Sequence, residues 1–205
     1  MSQLTLSLGA PPAPSIDNFV CGSNGALVDR LRQISQGDKS QRLIYCWGES
    51  GVGKTHLLES MHPHARTWDR CDSMDEPTQR EAFIAFTEAL VEPNRVLLLA
   101  GNCPPATLVM REDLRTRIGH CLIFEVKRLS DEDMRIALAL TIAERGVVAD
   151  PDLIVYLLNR LPRSMGSLRQ AVDALDRLSL ERKKPLSLAL ARELLGSPAI
   201  GKAEH

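Results

Sequence analysis

The densest chemistry in the chain lies in Gly48-Glu49-Ser50-Gly51-Val52-Gly53-Lys54-Thr55. Glycines at 48, 51 and 53 let the backbone curl until successive N–H groups face one anion. A lysine and a threonine at the end of such a loop are the pair that reaches the β- and γ-phosphates of a nucleotide and holds its Mg²⁺. The loop works only if it leaves a strand and enters a helix. Both flanks comply: Leu43-Ile44-Tyr45-Cys46-Trp47 is a strand-like apolar run, and His56-Leu57-Leu58-Glu59-Ser60-Met61 reads as helix. The helix start adds unpaired N–H donors and partial positive charge at the same place. The expectation is a phosphate-binding loop rather than a glycine-rich turn before an ordinary helix.

Such a site also needs an acidic residue at the end of a neighbouring strand to orient the metal's water shell. Asp69 is the first candidate and Asp72 the second, although the residues before Asp69 are poorly apolar. Asn102 is placed at the carboxyl end of the run Val96-Leu97-Leu98-Leu99-Ala100, the edge where doubly wound sheets bind ligands. His62, His64 and Cys71 have a metal-ligand composition, but their spacing around Pro63 reads better as a solvated turn.

The elements around these residues follow from periodicity. Leu27, Leu31 and Ile34 recur at helical spacing after Asn24 or Ser23, either of which suits a cap. Pro77 to Val91 predicts a helix with Ala82, Phe83, Phe86 and Leu90 on its buried face. The run 96–100 reads as a central parallel strand, and Cys121-Leu122-Ile123-Phe124-Glu125-Val126 as the last strand. From Ser130 the pattern is helix only: Ser130 to about Arg145, Asp150 to Leu161, Ser164 to about Arg182, and Ser187 to Leu195. An α/β class follows, with a parallel-sheet core over residues 15–128 and an all-helical appendage with a short tail over 129–205.

Ahead of these lies Gln3-Leu4-Thr5-Leu6-Ser7-Leu8, alternating polar and apolar, then the stiff stretch Gly9-Ala10-Pro11-Pro12-Ala13-Pro14. The hexapeptide is similar to a bacterial sliding-clamp-binding peptide, with Leu6 and Leu8 as anchors, and equally suits an edge strand. Net charge is 25 − 26 = −1 with no basic tail, so bulk attraction to nucleic acid is not indicated. Five scattered cysteines (21, 46, 71, 103, 121) form no C-x-x-C pair. With no signal peptide and no apolar run long enough for a membrane, a reduced cytoplasmic protein is expected.

Taken together, the motifs resemble the DnaA-related AAA+ family, and within it the Hda type of regulatory inactivators of the replication initiator DnaA. Asp17-Asn18-Phe19-Val20 with Gly22 and Asn24 is similar to the family's adenine-side box. The run from Gly48 through Thr55, His56 and Leu57 is similar to its Walker A, and Leu99 to Pro105 to its sensor I strand end, with Asn102 in the sensor position. Leu114-Arg115-Thr116-Arg117-Ile118-Gly119 resembles the arginine-finger box, which puts the finger on Arg117. Gly166-Ser167-Leu168-Arg169 resembles sensor II, which puts Arg169 over the phosphates.

The resemblance implies bound ADP or ATP, with Mg²⁺ at Thr55 and Asp69. The implied partners are DnaA and the DNA polymerase III sliding clamp, the latter held by Gln3, Leu4, Leu6 and Leu8. Self-association stays open and DNA is reached only indirectly. The chain also departs from the family. Asp69-Arg70 stands in place of paired acids, no catalytic glutamate is evident, an extra helix and strand after Thr55 have no room, and no helix-turn-helix domain follows the lid. Weak or absent ATP hydrolysis of its own is expected. The competing readings are a self-sufficient switch ATPase such as a helicase loader, and a small-molecule kinase.

Overall fold

The computed structural model describes residues 13–148 and 150–196. The expected clamp-binding positions Gln3, Leu4, Leu6 and Leu8 lie outside them. The described chain forms two compact units: residues 13–19, 24–48 and 54–126 make one, and residues 20–23, 49–53 and those after 126 make the other.

The first unit is built on a four-stranded, all-parallel sheet of β1 (Leu43–Trp47), β2 (Arg66–Trp68), β3 (Leu97–Gly101) and β4 (Leu122–Glu125), ordered β2-β3-β1-β4. β1 sits between β3 and β4, with Tyr45 opposite Leu99 on one side and Ile123 on the other. Its neighbours lead away in opposite directions, so a crevice opens at the carboxyl end of β1. β3 is buried at all five positions, as an apolar run covered on both faces should be. It begins one residue later than the periodicity predicts. β4 is an edge strand and alternates between partly buried and exposed positions.

Helices α1 (Gly25–Ser35), α2 (Lys54–Met61), α3 (Glu76–Val91) and α4 (Glu112–Gly119) complete the unit. α1 buries Leu27, Leu31 and Ile34 as expected. Asn24 stands at its N-cap position, but no side-chain cap bond forms there. In α3 the buried face is Ala82, Ala85, Phe86 and Ala89, while Leu90 is 67% exposed. The expected face was rotated, because three alanines rather than the larger side chains let this helix lie close to the sheet. α3 starts at a cap the sequence reading passed over, Asp75, whose carboxylate accepts from Thr78 N at 3.0 Å.

The second unit contains α5 (Asp131–Ala143), α6 (Pro151–Arg160), α7 (Met165–Arg182) and α8 (Leu188–Gly196), close to the predicted spans. Three starts are capped by side chains: Ser130 accepts from Asp133 N, Asp150 from Asp152 N and Ser164 from Ser167 N. Leu138, Leu157, Leu168, Val172 and Leu175 form the centre of its core.

One ion pair pins the connection from α1 into β1. Arg30 is buried, and its guanidinium donates to Asp38 Oδ2 at 2.7 Å and to the Gln41 carbonyl at 3.1 Å. The Arg30 hydrogen bond, helped by Ser40, holds the Asp38 carboxyl well below the usual carboxylate range. A depressed folded-state pKa stabilises above the ordinary carboxylate value and is lost as pH falls through the depressed one. Asp38→Asn should therefore lower the urea midpoint most at about pH 7 and by a clearly smaller amount at about pH 2. An equal loss at both would place the effect elsewhere than in this charge.

Candidate phosphate-binding site

The site grows from the carboxyl end of β1. Gly48 N donates to the Gly101 carbonyl at 3.3 Å, which ties the start of the loop to the end of β3. Lys54, the first residue of α2, is only 7% exposed. Its Nζ donates to the Gly48 carbonyl at 2.7 Å and to Asn102 Oδ1 at 3.1 Å. Burial pushes the ammonium's pKa down, against the pull of Cys46, Asp69 and Asp72. A buried ammonium surrounded by carbonyl oxygens is a strong point of attachment for an anion.

Thr55 Oγ1 donates to Asp69 Oδ2 at 2.6 Å. β2 has only three residues, yet burial of Trp68 on the sheet is enough to deliver the next residue, Asp69, to the loop. A hydroxyl and a carboxylate side by side are the hard oxygen ligands a Mg²⁺ ion takes alongside phosphate oxygens. Among the described residues no group of three or more His, Cys, Asp or Glu side chains forms a metal cluster, so His62, His64 and Cys71 make no such site.

The second acid does different work. Arg70 adopts a left-handed conformation (φ 49°), which turns the chain into a short 3₁₀ segment, Cys71–Ser73. Asp72 then grips Asn102 with both oxygens: Oδ1 accepts from Asn102 N at 2.9 Å and Oδ2 from Asn102 Nδ2 at 2.8 Å. Burial raises the Asp72 pKa, but the Asn102 bonds and the Lys54 charge outweigh it and the net shift is down. The sequence named Asp72 only as a second metal acid. Its bond to a residue 30 positions away had no local signal.

Gly101 leaves room for the Tyr45 ring beside this contact. A Cβ there would stand 2.2 Å from the Tyr45 hydroxyl and 3.4 Å from Asp72 Oδ1. The Tyr45 hydroxyl itself donates to the Cys103 carbonyl at 2.7 Å, and burial pushes its pKa well above the ordinary value. Behind the loop, burial also pushes the Cys46 thiol up to about 12, which makes it an inert core side chain.

The chain before α1 closes on the same helix start. Ser15 and Asn18 exchange hydrogen bonds, Ser15 N to Asn18 Oδ1 at 2.9 Å and Asn18 N to Ser15 Oγ at 3.2 Å. This turn sets the Phe19 ring 5.5 Å from that of His56, whose Nε2 lies 3.0 Å from the Ser15 carbonyl. Asn24, five residues on, is buried.

The other unit holds residues 49–53 together with Val20 and the helices. Glu49 pairs with Arg128. Gly51 and Gly53 take φ values of 82° and 102°, conformations that only glycine adopts cheaply. A Cβ on Gly51 would stand 2.9 Å from Ser164 Cβ, so a larger residue has no room there. Gly51 and Val52 line a small cleft with Leu129, Met134, Ser164 and Met165. Arg169 lies half-buried on α7, and Asp173, its simplest partner by spacing, is bound by Arg145.

Arg117 occupies the last turn of α4. The periodicity of the sequence assigns no element to the segment 111–118. Leu114 and Ile118, four apart and both buried, are the signal that it is a helix. The Arg117 guanidinium carbon lies 4.5 Å from the centre of the Phe83 ring on α3, and among the described residues Arg117 makes no ion pair.

A parallel sheet with a glycine loop leaving the inner strand β1, an acid at the end of β2 beyond β3, and an all-helical unit make up an α/β P-loop fold of the AAA+ type. Residues 131–195 match the family described as the Hda lid domain. The fold is similar to domain III of the Thermotoga maritima replication initiation protein DnaA, with a TM-score of 0.76 and 17% identity over 90% of this chain and 96% of that one. It is also similar to AMPPCP-bound DnaA from Aquifex aeolicus, with a TM-score of 0.68 and 17% identity over 84% of this chain and 69% of that one. The Thermotoga maritima RuvB Holliday junction branch migration motor matches at a TM-score of 0.65 and 12% identity, over 91% and 72%. Residues 131–195 therefore carry an Hda-type lid, and the fold of the chain is similar to that of DnaA domain III. No helix among the described residues is long and apolar enough to cross a membrane.

Gly101→Ala should cost about 1–3 kcal/mol by overpacking against the Tyr45 hydroxyl. Tyr45→Phe in the same background should return part of that cost, read by denaturant unfolding. An additive pair of losses would locate the strain away from this contact.

Proposed function

We propose that this chain is a nucleotide-loaded adaptor that binds the sliding clamp and stimulates ATP hydrolysis by DnaA, limiting re-initiation of replication. The observation that carries the reading is a buried loop lysine and a threonine–aspartate pair with a cation where a second acid would stand. Lys54 and Thr55 are placed for phosphates and metal, Arg70 stands beside Asp69 where a second acid would, and Asp72 is engaged with Asn102. An adaptor has no need of its own base if the nucleotide serves as a structural ligand.

In this reading Gly48, Glu49, Ser50, Gly51, Val52 and Gly53 wrap the phosphates with backbone N–H groups, and Lys54 neutralises them. Phe19, Val20, Asn24 and His56 border the base, while Asn102 and Arg169 sense the phosphates. ADP or ATP supplies the phosphate charge, and Mg²⁺ at Thr55 and Asp69 a hard cation that offsets it. The AMPPCP bound by the similar Aquifex aeolicus DnaA supports an adenine nucleotide. The match to the Hda lid supports DnaA as the partner.

The chemistry is then delivered across a subunit boundary. Arg117 reaches the ATP held by DnaA and stabilises the charge that builds on the transferring phosphoryl group. Residues 3–8 keep the chain on the clamp, which confines this activity to replicated DNA.

Arg117→Ala should leave nucleotide and clamp binding unchanged, while stimulated hydrolysis by DnaA falls by about a thousandfold or more. Stimulation that survives the change removes the finger from Arg117. In a calorimetric titration, Gln3→Ala with Leu6→Ala should abolish clamp binding and spare nucleotide binding. Retained binding to the clamp would return residues 3–8 to a structural role.

A further inference from the structure

Two arginines, Arg111 just before α4 and Arg117 in its last turn, meet one aromatic ring of α3. Arg111 lies 5.8 Å and Arg117 4.5 Å from the centre of Phe83. They are held differently. The Arg111 side chain is bound by both oxygens of Asp113, at 2.7 and 3.2 Å, and its backbone N donates to Gln79 Oε1 at 2.9 Å. Its charge is matched locally, and it fixes the start of α4 against α3. Arg117 has no carboxylate partner among the described residues. Its guanidinium rests on the ring instead.

We propose that Phe83 is the positioning residue of the Arg117 finger, a proposal that rests on the reading of Arg117 given above. A guanidinium on an aromatic face is ordered without losing its charge, because the ring's quadrupole attracts it but does not neutralise it as a carboxylate would. The long arginine side chain would otherwise sample many rotamers, and each wrong one delays its arrival at the partner's phosphates. Gln79 and Phe83 are one helical turn apart on α3. They therefore present one edge of that helix to both ends of α4. Because Phe83 is only half-buried at the margin of the core, it can serve this contact without being essential to the fold.

The test uses the full chain with DNA-loaded clamp and ATP-bound DnaA. Phe83→Leu, which keeps apolar bulk but lacks a π face, should lower the stimulated rate at saturation about three- to fivefold, the size of one partly exposed cation–π contact. Half-saturation, nucleotide affinity and melting temperature should stay unchanged. Phe83→Tyr should retain the full rate, and Phe83→Leu added to Arg117→Ala should cost nothing more. In ¹³C,¹⁵N-arginine-labelled chain, the Arg117 side-chain protons should be shifted upfield by the ring, and the shift should vanish in Phe83→Leu. Full stimulation by Phe83→Leu beside an inactive Arg117→Ala overturns the proposal alone. Full stimulation by Arg117→Ala overturns the finger reading, and the proposal with it.

Discussion

The buried ammonium of Lys54 sets the terms for the core unit. Taking that charge out of water is expensive, and its lowered pKa records the cost. The surroundings offset it with oxygen atoms in a fixed order. The Gly48 carbonyl comes from the loop and Asn102 Oδ1 from the end of β3, and Asn102 is in turn oriented by both oxygens of Asp72. Asp72 stands there because the chain reverses at Arg70, and Gly101 leaves room beside it for the Tyr45 hydroxyl. Each step in this relay demands the next.

How much of this is readable from the chain depends on the range of the interaction. The glycine loop, the buried strand and the four lid helices are written locally, in glycine spacing, apolar runs and caps such as Ser130 and Ser164. The face of α3 misled the reading, because burial there falls on alanines, whose signal is weak beside Leu90. α4 was hidden by its charge, since six of its eight residues carry polar or no side chains and only Leu114 and Ile118 mark its inner face. The grip of Asp72 on Asn102 was unreadable for a simpler reason. It joins residues 30 positions apart, and only the packing of β2 beside β3 brings them together.

The pairing of residues at 69 and 70 bears on what the site is for. A hydrolytic P-loop enzyme needs one acid for the metal and a base for the attacking water. Asp69 stands where the first would, accepting a hydrogen bond from the Thr55 hydroxyl. The next residue is a cation in a left-handed turn, and the acid two positions later is already hydrogen-bonded to Asn102. A carboxylate whose pKa is lowered by such bonds is a poor proton acceptor, since the bonds that hold it also lower its basicity.

The same accounting of charges distinguishes the arginines. Arg30 is tied to Asp38, Arg111 to Asp113, Arg128 to Glu49, Arg145 to Asp173 and Arg163 to Asp131. Each of these cations is matched within its own unit and serves the fold. A cation that serves a partner must keep its charge unmatched while still being ordered, two demands that a carboxylate neighbour cannot meet together. An aromatic face meets both, which is why the contact between Arg117 and Phe83 says more about function than a further salt bridge on α4 would.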